Sequence, residues 1–232
     1  RCGEPTTPLA AHVSELQCLA VPSGRPPIDR FWSALWVFVQ GLLALCLPAR
    51  CVRCAADVAI GSPLPLCGPC CADLPPLPRL VSAPGLVAMA WTAGDYGGPL
   101  GDVIRVAKNG RSPAMLQTVG RHLARLVRSR VPCVDVIVPV PSARWRTAAR
   151  GFSPAWVLAH ELGRALGVPV SPLLMRRGRG GQRGRDATAR MREVRREIRC
   201  RDGIGAVPRR VLLVDDVLTT GATAGACAEE LL

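Results

Sequence analysis

Apolar residues along this chain come in short blocks of two different periods, and the blocks alternate. Val211-Leu212-Leu213-Val214 is a run of four bounded by charge, the pattern of a strand buried on both faces. Val134 to Pro141 (VDVIVPVP) reads as a second buried strand. Between them Leu158, Leu162 and Leu166 recur every four residues, which predicts a helix with Ser153 as N-cap, Pro154 at its first position and Gly167 as its stop. Val168 to Leu174 returns as a strand, interrupted by Pro169 and Pro172 and therefore short or near an edge. Strand, helix, strand in that order predicts a parallel sheet with a right-handed crossover.

Upstream, Leu86 to Thr92 reads as a strand, Gly94 to Gly98 as a turn, and Leu100 to Ala107 as the start of a helix. Ala114 to Arg128 has apolar residues at Met115, Val119, Leu123 and Leu126 with arginines between them, an amphipathic helix. Ala224 to Leu232 is helical in pattern. Residues 1–30 are Pro-rich, aperiodic and expected to be poorly ordered. Phe31 to Leu47 is almost wholly apolar and, at seventeen residues, touches the lower limit of a membrane span. Gln40 and Gly41 interrupt it and no small-residue cleavage site follows, so the preferred reading is a helix buried against the segment behind it. A membrane anchor, or an export signal with Arg25 and Arg30 ahead of the apolar stretch, is the competing reading. Pro75-Pro76-Leu77-Pro78 makes a stiff linker. The expected organisation is a leader over 1–47, a small module with its linker over 48–78, and an α/β domain over 79–232.

At 232 residues the chain has room for one sizeable core and a small satellite. The net charge of +13 comes almost entirely from arginine, and Lys108 is the only lysine. Such a balance favours anionic partners, either phosphate-rich small molecules or nucleic acid. Arg176 to Arg201 is Gly- and Arg-rich with almost no apolar residue before Met191. It reads as a mobile basic loop, able to act as a lid whose arginines close over a polyanion.

Eleven cysteines are many for a reducing compartment, but spacing accounts for four of them. Cys51-Val52-Arg53-Cys54 and Cys67-Gly68-Pro69-Cys70 are two CxxC knuckles, which together make a four-sulfur structural zinc site. Two disulfides are the competing reading, and Cys71 competes with Cys70 as fourth ligand. Cys2, Cys18, Cys46, Cys133, Cys200 and Cys227 lack metal-ligand spacing and read as buried or incidental thiols.

The most specific segment follows the Val211–Val214 strand: Asp215-Asp216-Val217-Leu218-Thr219-Thr220-Gly221-Ala222-Thr223. Ligands of open α/β sheets sit outside the carboxyl ends of the strands. Free amides at a helix start, with Thr hydroxyls beside them, suit a phosphate. Acidic residues next to them accept sugar hydroxyls, so the geometry asks for a ribose 5-phosphate.

This string resembles the phosphoribosyl-pyrophosphate (PRPP) signature of type I phosphoribosyltransferases. The order of zinc knuckles, Lys108, VPVP followed by Arg150-Gly151-Phe152, Gln182 to Arg192, and the acidic motif resembles the ComF family over roughly Leu45 to Leu232. These are bacterial proteins linked to competence and DNA uptake, with a phosphoribosyltransferase domain behind a zinc finger. The resemblance implies the type I phosphoribosyltransferase fold. It implies that Asp215 and Asp216 hold the ribose hydroxyls, and that Thr219, Thr220, Gly221, Ala222 and Thr223 cradle the 5-phosphate. It implies that Pro141, Ser142, Ala143 and Arg144 form a pyrophosphate loop, with Lys108 and Arg150 as further basic contacts and Gln182 to Arg192 as a flexible hood. Arg144, together with Mg²⁺, would stabilise departing pyrophosphate. Ser153 stands where the family has Asn, and Asn109 where an aromatic residue is common. The family continues past the final helix into another strand, so the C-terminal end is expected to be truncated. His12, His122 and His160 have no carboxylate partners in the sequence and read as structural or surface groups.

The resemblance implies an Mg-dependent transferase that displaces pyrophosphate from PRPP by an acceptor the sequence does not identify, linked to DNA uptake or to nucleotide metabolism. The expected location is cytoplasmic. The competing reading is a non-catalytic adaptor that uses the PRPP fold as a ligand sensor, with single-stranded DNA or the competence machinery as partner. Sparse aromatics in the basic segments count against base stacking there.

Overall fold

The computed structural model describes residues 49–83, 85–131, 133–177, 196–202 and 208–232. The leader over 1–47 and the Gln182 to Arg192 segment lie outside these residues. Among the described residues no helix is long and apolar enough to cross a membrane.

The first described segment is the cysteine-rich one. It includes a short helix, α1 (Gly68–Ala72), that starts at the second knuckle with Pro69 in its first turn. β1 (Arg79–Val81) and β2 (Ala90–Thr92) follow as an antiparallel pair with Leu80 opposite Trp91. The strand expected from Leu86 is therefore confined to its last three residues. α2 (Pro99–Asn109) and α3 (Pro113–Val127) follow the predicted periodicities closely. Proline opens both helices, and the Ser112 hydroxyl caps α3 by accepting the Met115 amide.

β3 (Val136–Pro139) and β6 (Val211–Val214) are parallel neighbours, with Val136 opposite Val211 and Pro139 opposite Val214. Their ladder extends at both ends: Asp135 donates to the Arg210 carbonyl at 2.8 Å and Val140 to the Val214 carbonyl at 2.9 Å. On the other edge of β3, Ile137 forms a parallel bridge with Val170. The extended segment around Val170 is thus confined to one bridge. The chain next pairs as β4 (Leu174–Arg176) with β5 (Ile198–Cys200), antiparallel.

Between β3 and that bridge run α4 (Arg144–Arg150) and α5 (Pro154–Leu166). Gly167, at φ 69°, ends α5 as expected. Ser153 occupies the N-cap position, but its side chain makes no capping bond and instead lies 3.5 Å from the Ser142 hydroxyl. α5 packs along α3. Gly120 permits the approach, since a Cβ there would lie 2.7 Å from the Glu161 Cβ. The last element is α6 (Ala222–Leu231).

β3 is buried on both faces, and alternation assigns its side chains to two cores. Ile137 joins Val103, Ala107, Leu116, Leu158 and Val214, whereas Val136, Val138 and Val140 join Leu174, Ile198 and Cys227. β6 corrects the sequence reading. Only Val214 is fully buried and the other three residues are half-buried, because among the described residues β6 pairs on one edge alone. The basic segment is also corrected at its ends. Arg176 belongs to β4, and its guanidinium donates to Glu197 at 2.7 Å with both side chains mostly covered. A paired, covered arginine beside a strand is not part of a mobile loop.

Candidate functional site at the tips of two parallel strands

The register of β3 and β6 brings two chain segments out of the sheet side by side. The Val140–Val214 bond is the last of the ladder, after which one strand continues as Pro141-Ser142-Ala143 and the other as Asp215-Asp216. This is the carboxyl end of a parallel pair, where α/β proteins bind ligands.

The two carboxylates have different surroundings. Asp215 Oδ1 accepts the Asp216 amide at 2.8 Å. Burial pushes the Asp215 carboxyl up to about 6, with Lys108, the Val217 amide and Arg176 pulling against it. Asp216 Oδ2 is ion-paired with Lys108, and both side chains are largely covered. Burial also brings the Lys108 ammonium down to about 8, helped by repulsion from Arg150 and Arg146 and opposed by Asp215. Lys108, Arg150, Asp215 and Asp216 are therefore close neighbours at this end of the sheet. A depressed lysine beside a raised carboxyl is a pairing typical of functional sites.

Beyond Asp216 the chain turns through Val217, exposed Leu218, Thr219 and Thr220, and buried Gly221. Gly221 caps α6 at φ 73°, a left-handed conformation that favours glycine. The Thr220 hydroxyl accepts the Ala222 amide at 3.4 Å. Ala222 and Thr223 open α6, so the first turn of the helix faces out of the same end of the sheet as the two aspartates.

The Pro141 to Arg144 segment is only in part a loop. Ala143 caps α4 and Arg144 is the first residue of that helix, exposed and without an ion pair among the described residues. Two residues passed over in the sequence stand beside it. Arg146 is close enough to Lys108 to disfavour its charge, and Trp145, 53% exposed, has the Arg146 guanidinium 5.2 Å from its ring. The alternation Arg144-Trp145-Arg146 was a readable signal, obscured by the low aromatic content of the chain as a whole.

The cysteines form a second centre. Sγ atoms of Cys51, Cys54, Cys67 and Cys70 all lie within 4.8 Å of one another. Cys54 and Cys67 are 3.5 Å apart, and Cys54 and Cys70 3.7 Å. A tetrahedron of sulfurs about 2.3 Å from zinc has edges of about 3.8 Å, so the donor set fits that ion. The disulfide alternative is not realised, since all four thiols are free and a bond needs about 2.05 Å. Cys71 drops out because its Sγ turns to the Leu66 carbonyl. Although burial opposes it, the amides of Cys67, Cys54 and Arg53 bring the Cys51 thiol down to about 6, whereas burial raises Cys70. Cys227 and Cys200 are a buried and a half-buried thiol, Cys227 pushed up to about 12 by burial and by Asp215.

No protein-family model matches the chain. It is 30% identical to the DNA utilization protein YhgH of Escherichia coli K12 over 78% of its own length and 77% of that protein's. The Shigella flexneri protein of the same name matches to the same extent. Competence protein F of Haemophilus influenzae is 28% identical, over 75% of this chain and 86% of its own.

Proposed function

The chain belongs to the ComF family, and on that premise we propose that it binds PRPP with Mg²⁺ at the tips of β3 and β6 and displaces pyrophosphate by an acceptor nucleophile. The observation that carries the reading is the convergence of Lys108, Arg150, Asp215 and Asp216 beside the Thr219–Thr223 turn. Ionised Asp215 accepts a ribose hydroxyl, and Asp216, anchored by Lys108, presents the second acceptor at a fixed position. The amides of Gly221, Ala222 and Thr223 and the hydroxyls of Thr219, Thr220 and Thr223 take the 5-phosphate, at a helix start whose dipole favours an anion.

Departure of pyrophosphate leaves an oxocarbenium-like sugar, so the work of the protein is electrostatic. Arg144, Arg150 and the Pro141-Ser142-Ala143 turn meet the leaving group. Asp215 and Asp216 offer the hard oxygen ligands that would hold Mg²⁺ beside the ligand, where the ion would supply Lewis-acid charge to the pyrophosphate. The four-cysteine centre holds structural zinc. Two relatives are named for DNA utilization and competence, which supports a role in handling DNA. That favours a second reading, in which the site senses PRPP without turning it over.

Incubation with PRPP, Mg²⁺ and a panel of nucleobases, nucleosides and oligonucleotides, while pyrophosphate is followed, separates the two. Release that depends on one acceptor establishes transfer. Saturable PRPP binding with no release under any acceptor selects the sensor.

A further inference from the structure

One helix ends in both centres. Asp102 lies in the first turn of α2 and Lys108 in its last, six residues or about 9 Å apart along the axis. Asp102 Oδ2 accepts Arg53 Nη1 at 2.9 Å, and Arg53 sits inside the first knuckle, between Cys51 and Cys54. Asp102 also pairs with Arg105, whose guanidinium lies 5.3 Å from the Tyr96 ring. Arg53 donates further to the Gly97 carbonyl at 3.3 Å. The start of α2 is thus tied to the knuckle at two points.

The helix has little freedom to absorb a movement of that end. A Cβ on Gly101 would lie 1.9 Å from the Tyr96 carbonyl oxygen, so the first turn is in close contact with the 95–98 loop. Val103 and Ala107 are completely buried, in the same core as Cys51, Cys67, Cys70 and Val214. Close-packed interiors transmit displacement rather than damp it. At the far end Lys108 is held to Asp216.

We propose that Arg53 is a positioning residue, which through Asp102 registers α2 against the metal-loaded knuckle and so sets how Lys108 meets Asp216. The four thiols fit zinc, and the ion fixes the turn from which Arg53 projects. Without it, no bond would join the four sulfurs. The Cys51–Cys54 turn would rest on backbone bonds such as Ala55 amide to Cys51 carbonyl at 2.9 Å, on the packing of Cys51 and on Arg53 itself. This inference concerns the geometry of Lys108 and stands apart from whether PRPP is the ligand.

Lys108 is the only lysine, so trace acetylation across pH, read by peptide mass spectrometry, reports the proton affinity of this one side chain. The charged groups facing it are Asp216, Asp215, Arg150 and Arg146. In Arg53→Ala, with one zinc per chain verified, the midpoint is expected to rise by about one unit toward that of an ordinary lysine, a tenfold change in proton affinity. Release from Asp216 takes away a counter-charge that favours the ammonium, but it also lets the amine reach water. Burial is the largest influence on Lys108, so the net change is upward. Asp102→Ala gives the same rise, the double variant gives no more than either alone, and Arg53→Lys restores the native value. Chelation of the metal from the native chain shifts the midpoint in the same direction, with little further effect in Arg53→Ala. An unchanged or lower midpoint in zinc-loaded Arg53→Ala, or fully additive single variants, overturns the proposal. A chain that never binds PRPP would sink the proposed function and leave these shifts as they are.

Discussion

Val140 donates its backbone amide to the Val214 carbonyl at 2.9 Å, and that bond closes the ladder where the candidate site begins. It fixes Pro141 and Asp215 as neighbours although 74 positions separate them in the sequence. Everything proposed for the site depends on this adjacency.

PRPP affinity should have two limbs in pH. Asp215 must be ionised to accept a hydroxyl, and it gains a proton below about 6. Lys108 must be charged to anchor Asp216, and it loses its proton above about 8. Calorimetric titrations from pH 5 to 9 should find the tightest binding between those values. Asp215→Asn should weaken binding throughout and remove the enzyme's share of the acid limb, leaving only the ligand's own titration. Lys108→Arg should move the alkaline limb out of range.

Asp215 should cost stability when empty. Its folded value lies above the ordinary 3.8, so its contribution is favourable at low pH and is lost as pH rises through about 6. The shift, which is the net of burial and of the three groups opposing it, corresponds to about 3 kcal/mol at neutral pH. Urea denaturation should show Asp215→Asn more stable than the native chain by about 1–3 kcal/mol at pH 8, with the advantage shrinking below pH 6 and gone near pH 4.

Metal content should discriminate between adjacent cysteines. Cys70 lies in the sulfur cluster and Cys71 faces the Leu66 carbonyl. Cys70→Ser should lose bound zinc and lower the melting temperature, because Cys70 shares its core with Val103 and Ala107. Cys71→Ser should keep one zinc per chain.

Gly101→Ala should be destabilising out of proportion to its size. The new methyl would meet the Tyr96 carbonyl at 1.9 Å, and a backbone oxygen cannot move aside as a side-chain tip can. A loss of about 1–3 kcal/mol, the range for overpacking, is expected in thermal denaturation.

Much of this arrangement was legible in the sequence, and the failures have physical causes. α3 and α5 were found nearly to the residue, because a one-sided apolar stripe repeats over several turns and Pro and Gly mark the ends. The acidic motif was placed correctly at a strand tip. Four apolar residues predict burial on both faces of β6, but they say nothing of how many neighbours a strand has. β5 leaves no pattern to read, because Ile198-Arg199-Cys200 is three residues within a basic segment, too short for a period. α4 is not legible either, because a helix that buries none of its residues leaves no apolar stripe. The tie from Arg53 to Asp102 spans 49 positions and has no sequence signature at all.

The most direct test of the site is calorimetric titration of the full chain with PRPP and Mg²⁺ at pH 7.5, beside Asp215→Ala/Asp216→Ala. Saturable binding by the native chain that the double variant loses is the predicted result. A native chain that gives no binding, or a double variant that binds as tightly as the native one, would contradict it.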